Sequence, residues 1–158
     1  MSSFSSLLVD IGGTNMRYAY ANKRNISEEK ILSNISDQKI NKTLGNLLSN
    51  PQIKNAVIAA AGPRLGNRIE MTNRKVIVDG DLIGKKFKLA NSQVLNDWEA
   101  VGYAIDEMKL KKIKKGKSKS NVDLMIGPGT GLGFAIVADG KVIPTEIGNT
   151  KLHSKLLL

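Results

Sequence analysis

The sequence predicts an α/β fold with mixed sheets, and three observations predict it. Short apolar runs of strand length recur at residues 6–11, 55–61 and 92–95, rich in small and branched side chains. Other stretches repeat their apolar residues at helical spacing: Ile40, Leu44, Leu47 and Leu48 within residues 38–49, then Trp98, Val101, Ile105 and Met108 after Asp97. Glycine-rich turns join strand to strand, at Gly12-Gly13 and again from Gly127 to Gly133. The order β-β-β-α-β, then β-α, then a fresh glycine loop between strands belongs to a layered α/β architecture.

Each element follows from local chemistry. Residues 6–11 form a buried strand that runs into Gly12-Gly13, and residues 16–21 alternate weakly as its hairpin partner. A third strand is expected at residues 30–35. The helix over residues 38–49 keeps one apolar face despite Gly45. The strand at residues 55–61 stops at Gly62-Pro63, short strands follow at 68–71 and 75–78, and a helical turn is expected over 80–87. Residues 92–95 make another buried strand, and a helix begins after Asp97. Strands at 123–126 and 134–138 flank the second glycine loop, and Asp139-Gly140 turns tightly into Val142-Ile143. No internal repeat of solenoid or propeller length is present.

Composition narrows the function classes. With 158 residues and 41% hydrophobic content, the chain can bury a core and is not of disordered composition. It has no cysteine, which excludes a disulfide framework and a thiolate metal site. A single histidine, His153, leaves little for a zinc site, so no structural metal is expected. Residues 1–6 are neither basic nor long and apolar, and Asp10 interrupts the first hydrophobic run; neither signal peptide nor membrane span is expected, and the expected compartment is the cytoplasm. The formal charge is +10, but seven lysines lie in residues 109–119; without them it is +3, 10 less 7. That run has no interleaved aromatic residues for base stacking, so it reads as a solvated loop and no nucleic-acid partner is expected. With Gly116 and two serines, residues 111–120 are also the best linker in the chain.

Four stretches carry candidate chemistry. In Asp10-Ile11-Gly12-Gly13-Thr14-Asn15, adjacent glycines let the backbone adopt positive φ and approach a ligand, so that N–H groups and the Thr14 hydroxyl surround a phosphate oxygen. Asp10 is then placed to hold a water on Mg²⁺; a plain hairpin turn is the other reading. Gly127-Pro128-Gly129-Thr130-Gly131-Leu132-Gly133 has four glycines in seven residues, more than a hairpin needs. Close approach to an anion explains the excess, and simple loop flexibility is the alternative. A strand rather than a helix follows, so this is neither a P-loop nor a dinucleotide fingerprint. Asn96-Asp97 ends a strand and opens a helix: Asp97 is either an N-cap or a base that accepts a hydroxyl proton, with the Asn96 amide on a neighbouring hydroxyl. Glu146, in Pro144-Thr145-Glu146-Ile147-Gly148-Asn149, is a weaker candidate for holding sugar hydroxyls.

Taken in order, these stretches resemble the bacterial glucokinase family, within the actin-like, sugar-kinase and Hsp70 ATPase architecture. The opening Asp-hydrophobic-Gly-Gly-Thr-Asn looks like Asp10 to Asn15, Asn-Asp-aromatic-x-Ala like Asn96 to Ala100, and Gly-x-Gly-Thr-Gly-Leu-Gly like Gly127 to Gly133. A Met-Thr-Asn tripeptide recurs as Met71-Thr72-Asn73, and the resemblance runs from Leu7 to Gly148. It implies a ribonuclease H-like (actin-like ATPase) fold, a mixed sheet with flanking helices. It implies ATP and Mg²⁺ as cofactors and glucose or a similar hexose as substrate, phosphorylated on its 6-hydroxyl, with no membrane partner and a homodimer left open. By the same resemblance Asp97 is the catalytic base; Asn96, Asp97, Glu146 and Asn149 bind substrate. Gly12, Gly13, Thr14 and Asn15, with Gly129, Thr130 and Gly131, bind the ATP phosphates, and Asp10 is associated with Mg²⁺.

Two departures stand out. The family's Glu-Gly-Gly-His stretch, whose histidine contacts the sugar, is Glu146-Ile147-Gly148-Asn149 here. Asn149 can donate and accept hydrogen bonds but differs from imidazole in reach. The related repressor/sugar-kinase group has a similar Glu-Ile-Gly step with a cysteine-rich zinc motif, which a chain without cysteine cannot supply. The family's chain continues well past the length seen here, so a partial chain is expected. Its parts would be a small α/β domain at residues 1–110, a lysine-rich linker at 111–120, and the start of a second lobe at 121–158. An exposed apolar patch is expected near residues 151–158. A non-catalytic protein that keeps sugar or nucleotide affinity is the alternative reading.

Overall fold

The computed structural model describes residues 4–23, 25–114, 120–128, 132–143 and 145. The chain divides into two compact units, Met1–Asp97 and Trp98–Leu158. The division falls at the head of a helix, earlier in the chain than the lysine-rich stretch read as a linker.

The first unit is built on a five-stranded sheet. Its strands are β1 (Ser6–Ile11), β2 (Met16–Ala21), β3 (Lys30–Leu32), β4 (Asn55–Ala60) and, after a helix and a small second sheet, β8 (Asn91–Asn96), in the order β3-β2-β1-β4-β8. The hairpin β1–β2 and the pair β2–β3 are antiparallel, while β1, β4 and β8 run parallel. Parallel neighbours need long crossovers. The first includes α1 (Asp37–Leu48); the second contains a three-stranded sheet of β5 (Arg64–Leu65), β6 (Arg68–Glu70) and β7 (Ile77–Asp79), followed by α2 (Gly80–Phe87).

Burial follows the sequence pattern. Leu7, Val9 and Ile11 alternate into the core from β1, and Ile40, Leu44 and Leu48 join them from one face of α1. Ser36 caps α1 by accepting from the Lys39 N–H at 3.4 Å, and Asp37 adds a negative charge to the first turn. β4 sits between two parallel neighbours and buries Ala56, Ile58, Ala59 and Ala60. β3 is shorter than residues 30–35 predict, because Asn34 takes a left-handed conformation (φ 51°) and turns the chain. The two-residue β5 has no signal in the sequence at all.

The second unit begins within α3 (Asp97–Tyr103) and includes an antiparallel sheet of β9 (Val122–Pro128), β10 (Leu132–Ala138) and β11 (Lys141–Ile143), ordered β11-β10-β9. The apolar stripe predicts a helix reaching Met108, but α3 stops at Tyr103. The chain tightens through an Ala104 N–H bond to the Val101 carbonyl (3.1 Å) into a 3-10 turn at Ile105–Glu107. Asp106 and Glu107 would oppose the dipole of a longer helix at that end. Asp139 (φ 50°) and Gly140 (φ 72°) form the tight turn between β10 and β11, where both central residues need positive φ. One sheet face, with Ala135, Val137 and Val142, packs towards α3: a Cβ on Gly102 would lie 2.7 Å from a Val142 methyl. The opposite face leaves Val122, Leu124 and Ile126 more than half exposed. No helix among the described residues is long and apolar enough to cross a membrane.

Candidate functional site

The candidate residues of the first unit gather at one edge of its sheet. In the parallel ladder Ile11 lies opposite Ala60, and Ala60 opposite Asn96, so β1, β4 and β8 end level. Gly12, Ala61 and Asp97 therefore leave the sheet side by side. Open α/β sheets bind ligands outside the carboxyl ends of parallel strands. With strands about 4.8 Å apart, the backbones of Gly12 and Asp97 stand roughly 10 Å from each other.

The turn between β1 and β2 is closed by the Gly12 N–H bonding to the Asn15 carbonyl at 2.9 Å. Neither Gly12 nor Gly13 takes the positive φ that the sequence allows. A Cβ on Gly13 would meet nothing within 4 Å, so neither neighbouring atoms nor backbone strain account for glycine there. Room beside an exposed backbone suits a phosphate, which needs access to N–H groups.

Sequence reasoning misses the residue that holds this turn. Arg74 donates from Nε to the Gly12 carbonyl (3.1 Å) and from Nη1 to the Ile35 carbonyl (2.8 Å) and Asp37 Oδ1 (2.9 Å). Its side chain is only 8% exposed. The Ile35 N–H also reaches the Thr14 carbonyl at 3.3 Å, so the turn, the head of α1 and Arg74 form one network. Met71-Thr72-Asn73, just before Arg74, is brought to the same edge by the Thr72 N–H, which bonds the Ala61 carbonyl at 3.2 Å.

Asp10 lies one strand position before Ile11 and shares its carboxylate with Arg17, whose Nη1 is 3.0 Å from Oδ2. No cluster of three or more possible metal ligands exists among the described residues. The carboxylate is 41% exposed, which suits an ion that keeps its waters and takes most of its ligands from phosphates.

Asn96 is 4% exposed, and its Nδ2 donates to the Gly62 carbonyl at 3.0 Å. Gly62 itself has φ 152°, and a Cβ there would stand 2.6 Å from the Glu70 carbonyl oxygen; only glycine fits. The edge strand β8 is held from outside by Asn67. Its Oδ1 accepts from the Val94 N–H (2.8 Å), and its Nδ2 donates to the Ser92 carbonyl (2.9 Å) and Asp81 (2.8 Å). Asp97 is the first residue of α3 and is partly buried.

Of the second loop, Gly127, Pro128, Leu132 and Gly133 are described. Gly129, Thr130 and Gly131 lie outside the described residues, as do Glu146 and Asn149. Gly127 and Gly133 face each other across β9 and β10, and a Cβ on either would fall onto the indole of Trp98. The Trp98 ring thus accounts for two of the four glycines in this loop. A cleft of about 480 Å³ in the second unit, lined by Tyr103, Asp106, Asp123 and Asp139 among others, contains none of the candidate residues.

This chain matches the family model described as Glucokinase over residues 7–155. A glucokinase of Campylobacter jejuni subsp. doylei is 32% identical over 141 residues, covering 84% of this chain and 42% of the relative. A crystal structure of glucokinase from an Antarctic psychrotroph superposes with a TM-score of 0.70 at 27% identity, over 97% of this chain and 53% of that one. The glucokinase from Balamuthia mandrillaris, crystallised in complex with glucose, gives a TM-score of 0.72 at 20% identity, over 94% and 49%. The chain spans about two fifths of the curated relative and about half of the solved structures.

Proposed function

Because this chain belongs to the glucokinase family, with its actin-like ATPase fold, we propose that it serves transfer of the ATP γ-phosphoryl group to the 6-hydroxyl of glucose or a similar hexose. One observation carries the reading: the level ends of β1, β4 and β8 set an open glycine turn and Asn96-Asp97 on one sheet edge, roughly 10 Å apart. That gap suits a terminal phosphate on one side and a sugar hydroxyl on the other.

In the proposed reaction the Asp97 carboxylate takes the proton of the 6-hydroxyl as its oxygen bonds to the γ-phosphorus. The bond from phosphorus to the β–γ bridging oxygen breaks, and ADP leaves. Asn96, its amide oriented by the Gly62 carbonyl, holds a neighbouring hydroxyl, with Glu146 and Asn149 as further sugar ligands. The turn at Gly12, Gly13, Thr14 and Asn15 and the run Gly129, Thr130 and Gly131 hold the phosphates. Mg²⁺, when bound, neutralises charge on the phosphate oxygens, and Asp10 is its proposed partner through water. The functional division keeps the first turn and Asn96-Asp97 in residues 1–110 and the second loop in residues 121–158, joined by 111–120. A cytoplasmic location belongs to the same proposal.

Glucose-dependent ADP release in a coupled assay is the test. Asp97→Asn is expected to lower kcat by about 10²–10⁴-fold while calorimetric glucose affinity changes by less than about threefold. Unchanged turnover in that variant would overturn the mechanism. The chain's share of its curated relative, 42%, favours one second reading, in which it binds sugar or nucleotide without turnover. Glucose binding with no ADP release from the wild-type chain selects it.

A further inference from the structure

We propose that Arg74 is a positioning residue for phosphate, acting through the peptide unit between Gly12 and Gly13. The inference rests on the phosphoryl-transfer reading and deepens it.

The turn between β1 and β2 is gripped from one side. Arg74 Nε donates to the Gly12 carbonyl at 3.1 Å, and the Ile35 N–H bonds the Thr14 carbonyl at 3.3 Å. Both carbonyls thus face the cluster of Ile35, Asp37 and Arg74. All described peptide bonds are trans, and in a trans peptide the C=O and N–H point in opposite directions. The Gly13 and Asn15 N–H groups, which share those two peptide units, are therefore turned away from the cluster. Among the described residues neither is given to a backbone carbonyl. Gly13 and Thr14 are exposed, and a Cβ on Gly13 would meet nothing within 4 Å. Outward N–H groups beside open space make a seat for an anion.

The guanidinium is itself fixed. Its Nη1 donates to the Ile35 carbonyl (2.8 Å) and to Asp37 Oδ1 (2.9 Å), while Asp37 Oδ2 accepts from the Lys75 N–H at 3.1 Å. The bond to the Gly12 oxygen polarises that amide and strengthens the Gly13 N–H as a donor. Donors oriented before the ligand arrives lower the entropy lost on binding, which is how preorganisation raises affinity.

Calorimetry of the full chain with magnesium tripolyphosphate, which carries phosphates without adenosine, and separately with glucose, is the experiment, alongside amide spectra of isotope-labelled chain. In the wild type the Gly13 amide resonance should shift saturably with tripolyphosphate, at the calorimetric midpoint. Arg74→Lys keeps the charge but not the forked donors; it is expected to weaken tripolyphosphate by about fivefold or more and glucose by less than about threefold. Gly13→Ala should leave the urea midpoint no lower, because its Cβ meets nothing, yet weaken tripolyphosphate by about tenfold. An unmoved Gly13 amide at saturating tripolyphosphate overturns the proposal even if Arg74→Lys does not fold. So does wild-type tripolyphosphate affinity in either variant. Equal loss of both ligands in Arg74→Lys marks a general structural role and overturns it too. A wild-type chain that binds neither ligand overturns the phosphoryl-transfer reading and this proposal together; one that binds glucose but no tripolyphosphate overturns only this proposal.

Discussion

Arg74 shows what a single side chain contributes to the turn between β1 and β2, the proposed first phosphate turn. Its guanidinium serves three acceptors spread over Gly12, Ile35 and Asp37, two of them backbone carbonyls. Removing it leaves those acceptors poorly satisfied in a setting with little water. Arg74→Met should therefore lower unfolding free energy by about 2–4 kcal/mol in urea titrations, and weaken MgADP in calorimetry. Arg74→Lys should recover only part of either, because an ammonium cannot present the forked donors. None of this is legible in the sequence. Gly12-Gly13, Asn96-Asp97 and the glycine run announce themselves by residue type and spacing, whereas a carbonyl acceptor carries no residue label. Asn67 escapes for the same reason: its partners on β8 are main-chain groups brought near only by the fold.

Among elements, α1 tests the separation of propensity from packing. Gly45 sits mid-helix, where a Cβ would meet nothing within 4 Å. Gly45→Ala is accordingly expected to stabilise the chain by about 0.5–1 kcal/mol, read as a higher urea midpoint, with no change in ligand binding. The elements with strong patterns are legible: burial repeats with the period of the element in β1 and α1, and β4 is a continuous apolar run of strand length. Boundaries are less so. Asn34 ends β3 early through its own backbone conformation, and α3 gives way to a 3-10 turn although its apolar stripe continues to Met108. In the sequence the glycine excess of the second loop reads as anion approach or loop flexibility; that Gly127 and Gly133 also lie beneath the Trp98 ring is a cause that only three-dimensional proximity reveals.

At the scale of the molecule, the two units differ in how much they bury. Every residue of the main hydrophobic cluster, from Leu7 to Val94, belongs to Met1–Asp97. Residues 1–97 made alone should therefore unfold in a single cooperative urea transition; a broad, non-cooperative loss of ellipticity would refute that independence. Val122, Leu124 and Ile126 present an apolar face among the described residues of the second unit, while the patch expected near residues 151–158 lies outside them. The level strand ends also have a kinetic consequence. β1 pairs with β4 and β4 with β8 across long stretches of intervening chain, and such distant pairings form slowly. During synthesis β1 must wait for β4, and the central sheet is incomplete until β8 has emerged. Asn96 and Asp97 are thus among the last residues this unit needs in order to finish folding, so a ribosome that releases its chain before them leaves neither a complete sheet nor the proposed proton acceptor.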